Sequence, residues 1–133
     1  MELAYLTTTG KVRSKNEDTV LLVGDAQKGL AVVADGMGGH AAGETASAIV
    51  RQIFDEAYAE MPSRPIELSS WIERLVKEAN AQILRFSQVE NLSIVGTTMA
   101  CVCWSDDLLV IGHVGDSRVY AIEEGQLKQL TDD

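Results

Sequence analysis

Apolar positions along the chain change period twice, dividing it into strands, then helices, then strands again. Residues 2–7 alternate weakly and predict a strand, followed by a polar segment over 8–18. Two β-rich runs, 19–23 and 30–34, are separated by Gly24-Asp25-Ala26-Gln27-Lys28-Gly29, which predicts a hairpin with a longer loop. A glycine-dense turn comes next, Asp35-Gly36-Met37-Gly38-Gly39-His40. From Ala41 the spacing becomes three and four. Ala42, Ala46, Ile49, Val50, Ile53, Ala57 and Met61 line one face of an amphipathic helix, ended by Pro62 and Pro65. A second stripe of Leu68, Trp71, Ile72, Leu75, Val76, Ala79, Ile83 and Leu84 predicts another helix. The small residues of the first face allow it to lie close to a sheet.

The β pattern returns after Asn91. Runs 97–104 and 108–114 meet at Ser105-Asp106-Asp107, a turn by composition. Runs 119–122 and 127–130 flank Glu123-Glu124-Gly125-Gln126, a second hairpin. Strands, then two adjacent helices, then strands predict an α+β protein, with antiparallel sheets and helices packed on one face. The sequence carries no internal repeat, low-complexity tract or linker.

Composition narrows the functional classes. The 133 residues are 46% apolar and 23% charged, as in an ordinary globular domain. Twenty acidic against eleven basic side chains give a formal charge of −9. That balance repels phosphate backbones and anionic lipid, so nucleic acid and membrane are disfavoured as partners. No leader pattern is present, and no apolar run approaches the roughly 20 residues that span a bilayer. A soluble, cytoplasmic protein is expected. Cys101 and Cys103 sit at i, i+2 in an apolar run, roughly 6.5–7 Å apart along a strand. They read as reduced core residues, not as a disulfide or a zinc set.

Three segments carry candidate chemistry. The turn beginning at Asp35-Gly36 lies between an apolar strand and a helix. Gly36, Gly38 and Ala41 fit a dinucleotide-binding spacing, with Glu56 about 20 residues on. Against that reading stand the Asp35 carboxylate, the antiparallel character of the strands and the helix-to-helix order. The alternative uses Asp35 as an oxygen donor to a hard cation, with glycines letting backbone come close. The second segment is Arg13 with Asn16-Glu17-Asp18. Here an Arg fork suits phosphate oxygens, and two carboxylates can accept hydrogen bonds from water held by a metal. The third is His113-Val114-Gly115-Asp116-Ser117-Arg118, where Asp116 is a candidate metal ligand and Ser117 and Arg118 are local scaffolding. Each of these segments alone reads first as a solvated or ion-paired turn.

Together these segments resemble the type 2C, metal-dependent protein phosphatases, especially the compact bacterial ones. The matches are Arg13-Ser14-Lys15-Asn16-Glu17-Asp18, Val33-Ala34-Asp35-Gly36-Met37-Gly38-Gly39-His40, Gly96-Thr97-Thr98 and His113-Val114-Gly115-Asp116-Ser117-Arg118. Leu130-Thr131-Asp132-Asp133 is similar to the family's next motif. The resemblance implies an α-β-β-α sandwich of antiparallel sheets flanked by helices, and hydrolysis of phosphoserine and phosphothreonine in proteins by a water bound between two metals. It implies that Asp35 bridges two Mn²⁺ or Mg²⁺ ions, that the Gly36 carbonyl ligates one, and that Asp116 serves a third, weaker ion. Glu17 and Asp18 would orient the attacking water, with Asp18 also counted among the metal-site residues. Arg13 would hold the substrate phosphate. His40 is left without a role, because Met37 stands nearer to where some family members carry a histidine.

Catalytic domains of this family are about twice this length, and their later half supplies further metal-ligating aspartates. Residues 1–133 are therefore expected to form the amino-terminal portion of one catalytic domain, incomplete as a sandwich. This chain alone is expected to turn over little. Its exposed sheet edge would favour self-association. The alternative is a non-catalytic fragment that binds phosphopeptides or protein partners.

Overall fold

A computed structural model describes residues 1–39 and 41–133. His40, and with it the question of its role, lies outside the described residues. Strand β1 (Asp18–Gly24) turns into β2 (Lys28–Gly38). Helices α1 (Ala42–Ala57) and α2 (Pro65–Val89) follow, with one 3-10 turn between them. Then come β3 (Val95–Thr97), β4 (Met99–Ser105), β5 (Leu108–Val114), β6 (Tyr120–Glu123) and β7 (Gln126–Gln129).

The main sheet has the order β1-β2-β4-β5, with β3 beside the far end of β2, and β6-β7 form a separate hairpin. Every pairing among the described residues is antiparallel. This removes the parallel strand that a dinucleotide-binding unit requires.

Alternation along the strands explains the layering. Leu21, Leu30, Val32, Ala34, Met99, Cys101 and Cys103 point to the face covered by the helices and are buried there. Helix α1 lies mainly on β2, and α2 covers β5. Ala46, a small residue on the face of α1, is fully buried, as is Phe54 about two turns further along the helix. The Phe54 ring meets Trp71 of α2 edge-on, with centroids 5.9 Å apart. Cys101 and Cys103 are buried free thiols within this core. The hydrogen bond between them, and then burial, push the Cys103 thiol up, so it stays protonated.

Four expectations need correction. Residues 2–7 form no strand; Tyr5 and Leu6 are exposed, and residues 4–8 lie beside β1 and β2 across a cavity of about 560 Å³. Weak alternation alone makes no strand: these residues face β1 and β2 across the cavity and share no ladder with either. The run predicted from 97 is two strands, β3 and β4, divided at Thr98. Pro65 begins α2 at its first turn, where a missing N–H costs nothing, and does not close the preceding helix. The segment from Asp35 to Gly38 is strand, not turn, because β3 supplies it with a partner.

Candidate metal centre

Asp35 and Gly36 lie where β2 runs past β4 and gains β3 as its neighbour. Across the hairpin Asp35 is in register with Asp18, so two carboxylates occupy facing positions on adjacent strands. The approach to Asp18 is fixed locally. Asn16 Oδ1 accepts the Asp18 N–H at 3.0 Å, and Asn16 Nδ2 donates to Thr7 Oγ1 at 2.7 Å. The Glu17 carbonyl accepts the Gly36 N–H at 3.1 Å and the Ser47 hydroxyl at 2.7 Å. Ser47 is fully buried on α1, and Thr19 Oγ1 lies 2.9 Å from its oxygen. The one Ser47 proton is taken by backbone carbonyls, Glu17 at 2.7 Å and Glu44 at 3.1 Å, so Thr19 is the donor between the two hydroxyls.

Helix α1 presses directly onto this strand. A Cβ on Gly36 would stand 1.9 Å from the Gly43 carbonyl oxygen and 2.9 Å from that of Glu17. A Cβ on Gly43 would meet Glu17 Oε2 at 1.9 Å and the backbone of Gly36 and Met37 at 2.8 Å. Close helix–strand approach therefore demands glycine at Gly36, a different reason from room for an ion. The Glu17 carboxylate lies against the first turn of α1, where the helix dipole favours negative charge. The helix enters from Ala41 at φ 66°, with no side-chain cap.

Thr98 closes the other side. It donates its N–H to the Asp35 carbonyl at 2.9 Å, and its hydroxyl accepts the Asp35 N–H at 3.0 Å. The same hydroxyl is 2.6 Å from Ser117 Oγ, next to Asp116. Arg118 grips Asp133 through Nε at 2.8 Å and Nη2 at 2.5 Å, and Nη1 reaches the Tyr120 hydroxyl at 3.1 Å.

Electrostatics identify the strained member of this group. Burial, a hydrogen bond with Asp18, and the charges of Asp18 and Asp116 hold the Asp35 carboxyl above its ordinary value, while Arg13 opposes them. The structure thus brings Asp18, Asp35, Asp116 and Arg13 within electrostatic reach. Among the described residues, no three His, Cys, Asp or Glu side chains converge as a complete metal cage. A pair of repelling carboxylates with oxygen donors around it fits part of the shell of a hard divalent cation, which would relieve that repulsion. Asp18, Asp35, Ser117 and Arg118 also border the 560 Å³ cavity on the outer face.

Asn16, Ser47 and Thr98 shape the site without having been singled out for it. Asn16 and Thr98 stand inside motifs visible in the sequence. Ser47 looks like one more small residue on a helix face, and nothing local marks it.

A family model described as protein phosphatase 2C matches residues 10–133. The serine/threonine phosphatase stp of Listeria monocytogenes is 35% identical over 138 residues, covering all of this chain and 54% of that protein. The solved serine/threonine phosphatase of S. agalactiae superposes with a TM-score of 0.88 at 32% identity, over 96% of this chain and 54% of the other. The catalytic domain of the phosphatase PstP, solved in complex with two manganese ions, gives 0.78 at 35% identity, over 93% and 52%. The chain spans about half the length of the Listeria relatives it matches. Among the described residues no helix is long and apolar enough to cross a membrane.

Proposed function

This chain belongs to the protein phosphatase 2C family, and we propose that the protein it forms hydrolyses phosphoserine and phosphothreonine esters in proteins. The observation that carries this reading is the in-register pair Asp18 and Asp35, with the Asp35 carboxyl raised by its acidic neighbours. Two divalent cations, Mn²⁺ or Mg²⁺ with a third weaker one beside Asp116, would supply an activated water and neutralise charge on the phosphoryl oxygens.

The chain's own residues divide the remaining work. Asp35 and the Gly36 carbonyl offer oxygens from one rigid strand, and Asp18 faces them from the next. Glu17 and Asp18 accept hydrogen bonds from water and so orient it. Arg13, exposed and free to present its planar fork, holds two oxygens of the substrate phosphate.

Residues 1–133 are read as the amino-terminal portion of one catalytic domain. The two free thiols fit a reducing, cytoplasmic compartment. Val33 and Leu109, 43% and 54% exposed on the outer sheet face, support self-association of this chain by itself. A non-catalytic phosphopeptide- or partner-binding role is the second reading. It draws on the lack of a complete carboxylate cage among the described residues.

Hydrolysis of p-nitrophenyl phosphate with Mn²⁺ decides between them. Little turnover is expected from these 133 residues, and clear turnover once they are joined to the region that follows them in longer relatives. In that longer form Asp35→Asn should abolish activity. A longer form that binds phosphopeptide without turnover would favour the binding role. Strong Mn²⁺-dependent turnover by this chain alone would refute the need for additional ligands.

A further inference from the structure

The pairing of β2 with the later strands keeps one offset from Val33↔Ala100 to Gly36↔Thr97, across the break at Thr98, which places Asp35 opposite Thr98. Facing residues at a hydrogen-bonded position of an antiparallel ladder normally exchange two backbone bonds. One is present, from Thr98 N–H to the Asp35 carbonyl. The other has been replaced. The Asp35 N–H goes to the Thr98 hydroxyl, and the Thr98 carbonyl accepts the Thr97 hydroxyl at 2.9 Å instead. One rotatable side-chain oxygen therefore stands where a fixed carbonyl would serve.

That exchange gives the site something a carbonyl could not. A carbonyl can only accept, whereas a hydroxyl can accept from Asp35 and still share a proton with Ser117 Oγ, 2.6 Å away. The Thr98 methyl is held on its other side, because a Cβ on Gly115 would come within 2.8 Å of Thr98 Cγ2. Gly115 adopts φ +98°, which an L side chain rarely takes. The side chain of Thr98 is thus clamped between the backbone of Asp35 and the segment that bears Asp116.

We propose that Thr98 is the positioning residue of the carboxylate site, its hydroxyl fixing Asp35 against the Gly115–Ser117 segment and hence against Asp116. The assignment rests on reading Asp35 and Asp116 as cation ligands. It makes the spacing of two acidic residues, far apart in sequence, depend on a single hydroxyl.

Thr98→Val keeps the shape and removes the hydroxyl; Thr98→Ser keeps the hydroxyl and removes the methyl. Amide hydrogen exchange and Mn²⁺-induced line broadening, followed by NMR on the ¹⁵N-labelled chain, read the two consequences separately. Thr98→Val should speed exchange at the Asp35 amide roughly 3- to 10-fold, the worth of one net hydrogen bond. It should weaken Mn²⁺ binding about 10-fold, the usual scale for loss of an outer-shell partner. Thr98→Ser should restore both. Ser117→Ala provides a second route, expected to weaken Mn²⁺ binding while the Asp35 amide stays protected.

Unchanged Asp35 exchange in Thr98→Val would overturn the proposal. So would faster exchange with unchanged Mn²⁺ affinity, since Thr98 would then be an ordinary ladder partner. Mn²⁺ that leaves Asp35 and Asp116 unbroadened in the wild-type chain would overturn the cation reading and the assignment with it. The exchange result still reports the hydrogen bond in that case, so the two failures are distinguishable.

Discussion

Gly36→Ala separates two reasons for a glycine after Asp35. If glycine were needed only to open space for a cation, the metal-free chain would tolerate alanine. The structure predicts otherwise. The new Cβ would lie 1.9 Å from the Gly43 carbonyl oxygen, and reaching ordinary contact needs about 1.5 Å of retreat by the start of α1. Overpacking against rigid backbone costs about 1–3 kcal/mol. The Gly36 N–H bond to Glu17 is strained in the same movement, at about 1 kcal/mol. Against this, alanine loses less backbone entropy than glycine in a strand, recovering about 0.5–1 kcal/mol. The net is a loss of about 2 kcal/mol, or a fall of about 8 °C in Tm for a chain of this size. Thermal unfolding followed by circular dichroism in EDTA measures it. Gly39→Ala is the control, because a Cβ there meets nothing within 4 Å, and it should stay within about 0.5 kcal/mol of wild type. A metal-free Gly36→Ala chain as stable as wild type would refute the packing explanation.

Asp35→Asn should raise the Tm of the metal-free chain at neutral pH, by under about 1 kcal/mol in stability because solvent screens the group. The sign follows from the raised carboxyl: its favourable contribution exists below the ordinary value of 3.8 and is lost as pH rises through the higher folded value. The advantage of Asn should therefore shrink on acidification, and a Tm gain independent of pH would contradict this. Ser47→Ala removes a fully buried donor from the Glu17 carbonyl and should cost about 1–3 kcal/mol in urea unfolding; an unchanged midpoint would show that the bond carries little. The 133-residue chain should show concentration-dependent mass in sedimentation experiments, weakened by Leu109→Glu on the outer face, and a monomer at all concentrations would remove that surface from consideration.

The sequence by itself determined most of the kinds of element and marked the candidate donors of the site. Three-and-four spacing gave both helices, and apolar β-rich runs gave the hairpins around 24–29, 105–107 and 123–126, because those signals are local. Tight-turn chemistry was equally legible at Glu124-Gly125, where both residues take positive φ, 51° and 77°. Residues 2–7 misled, since alternation makes a strand only where a neighbouring edge accepts its hydrogen bonds. Asp35, Gly36, Glu17, Asp18 and Arg13 were visible as candidate donors for cation and phosphate. Only the tertiary structure decided that Asp35 sits in a strand facing Asp18, that Gly36 is glycine because Gly43 lies against it, and that Thr98 and Ser47 hold the backbone of the acidic residues. Those facts depend on strand register and on contacts between residues 7 to 63 positions apart, and no local periodicity encodes such contacts.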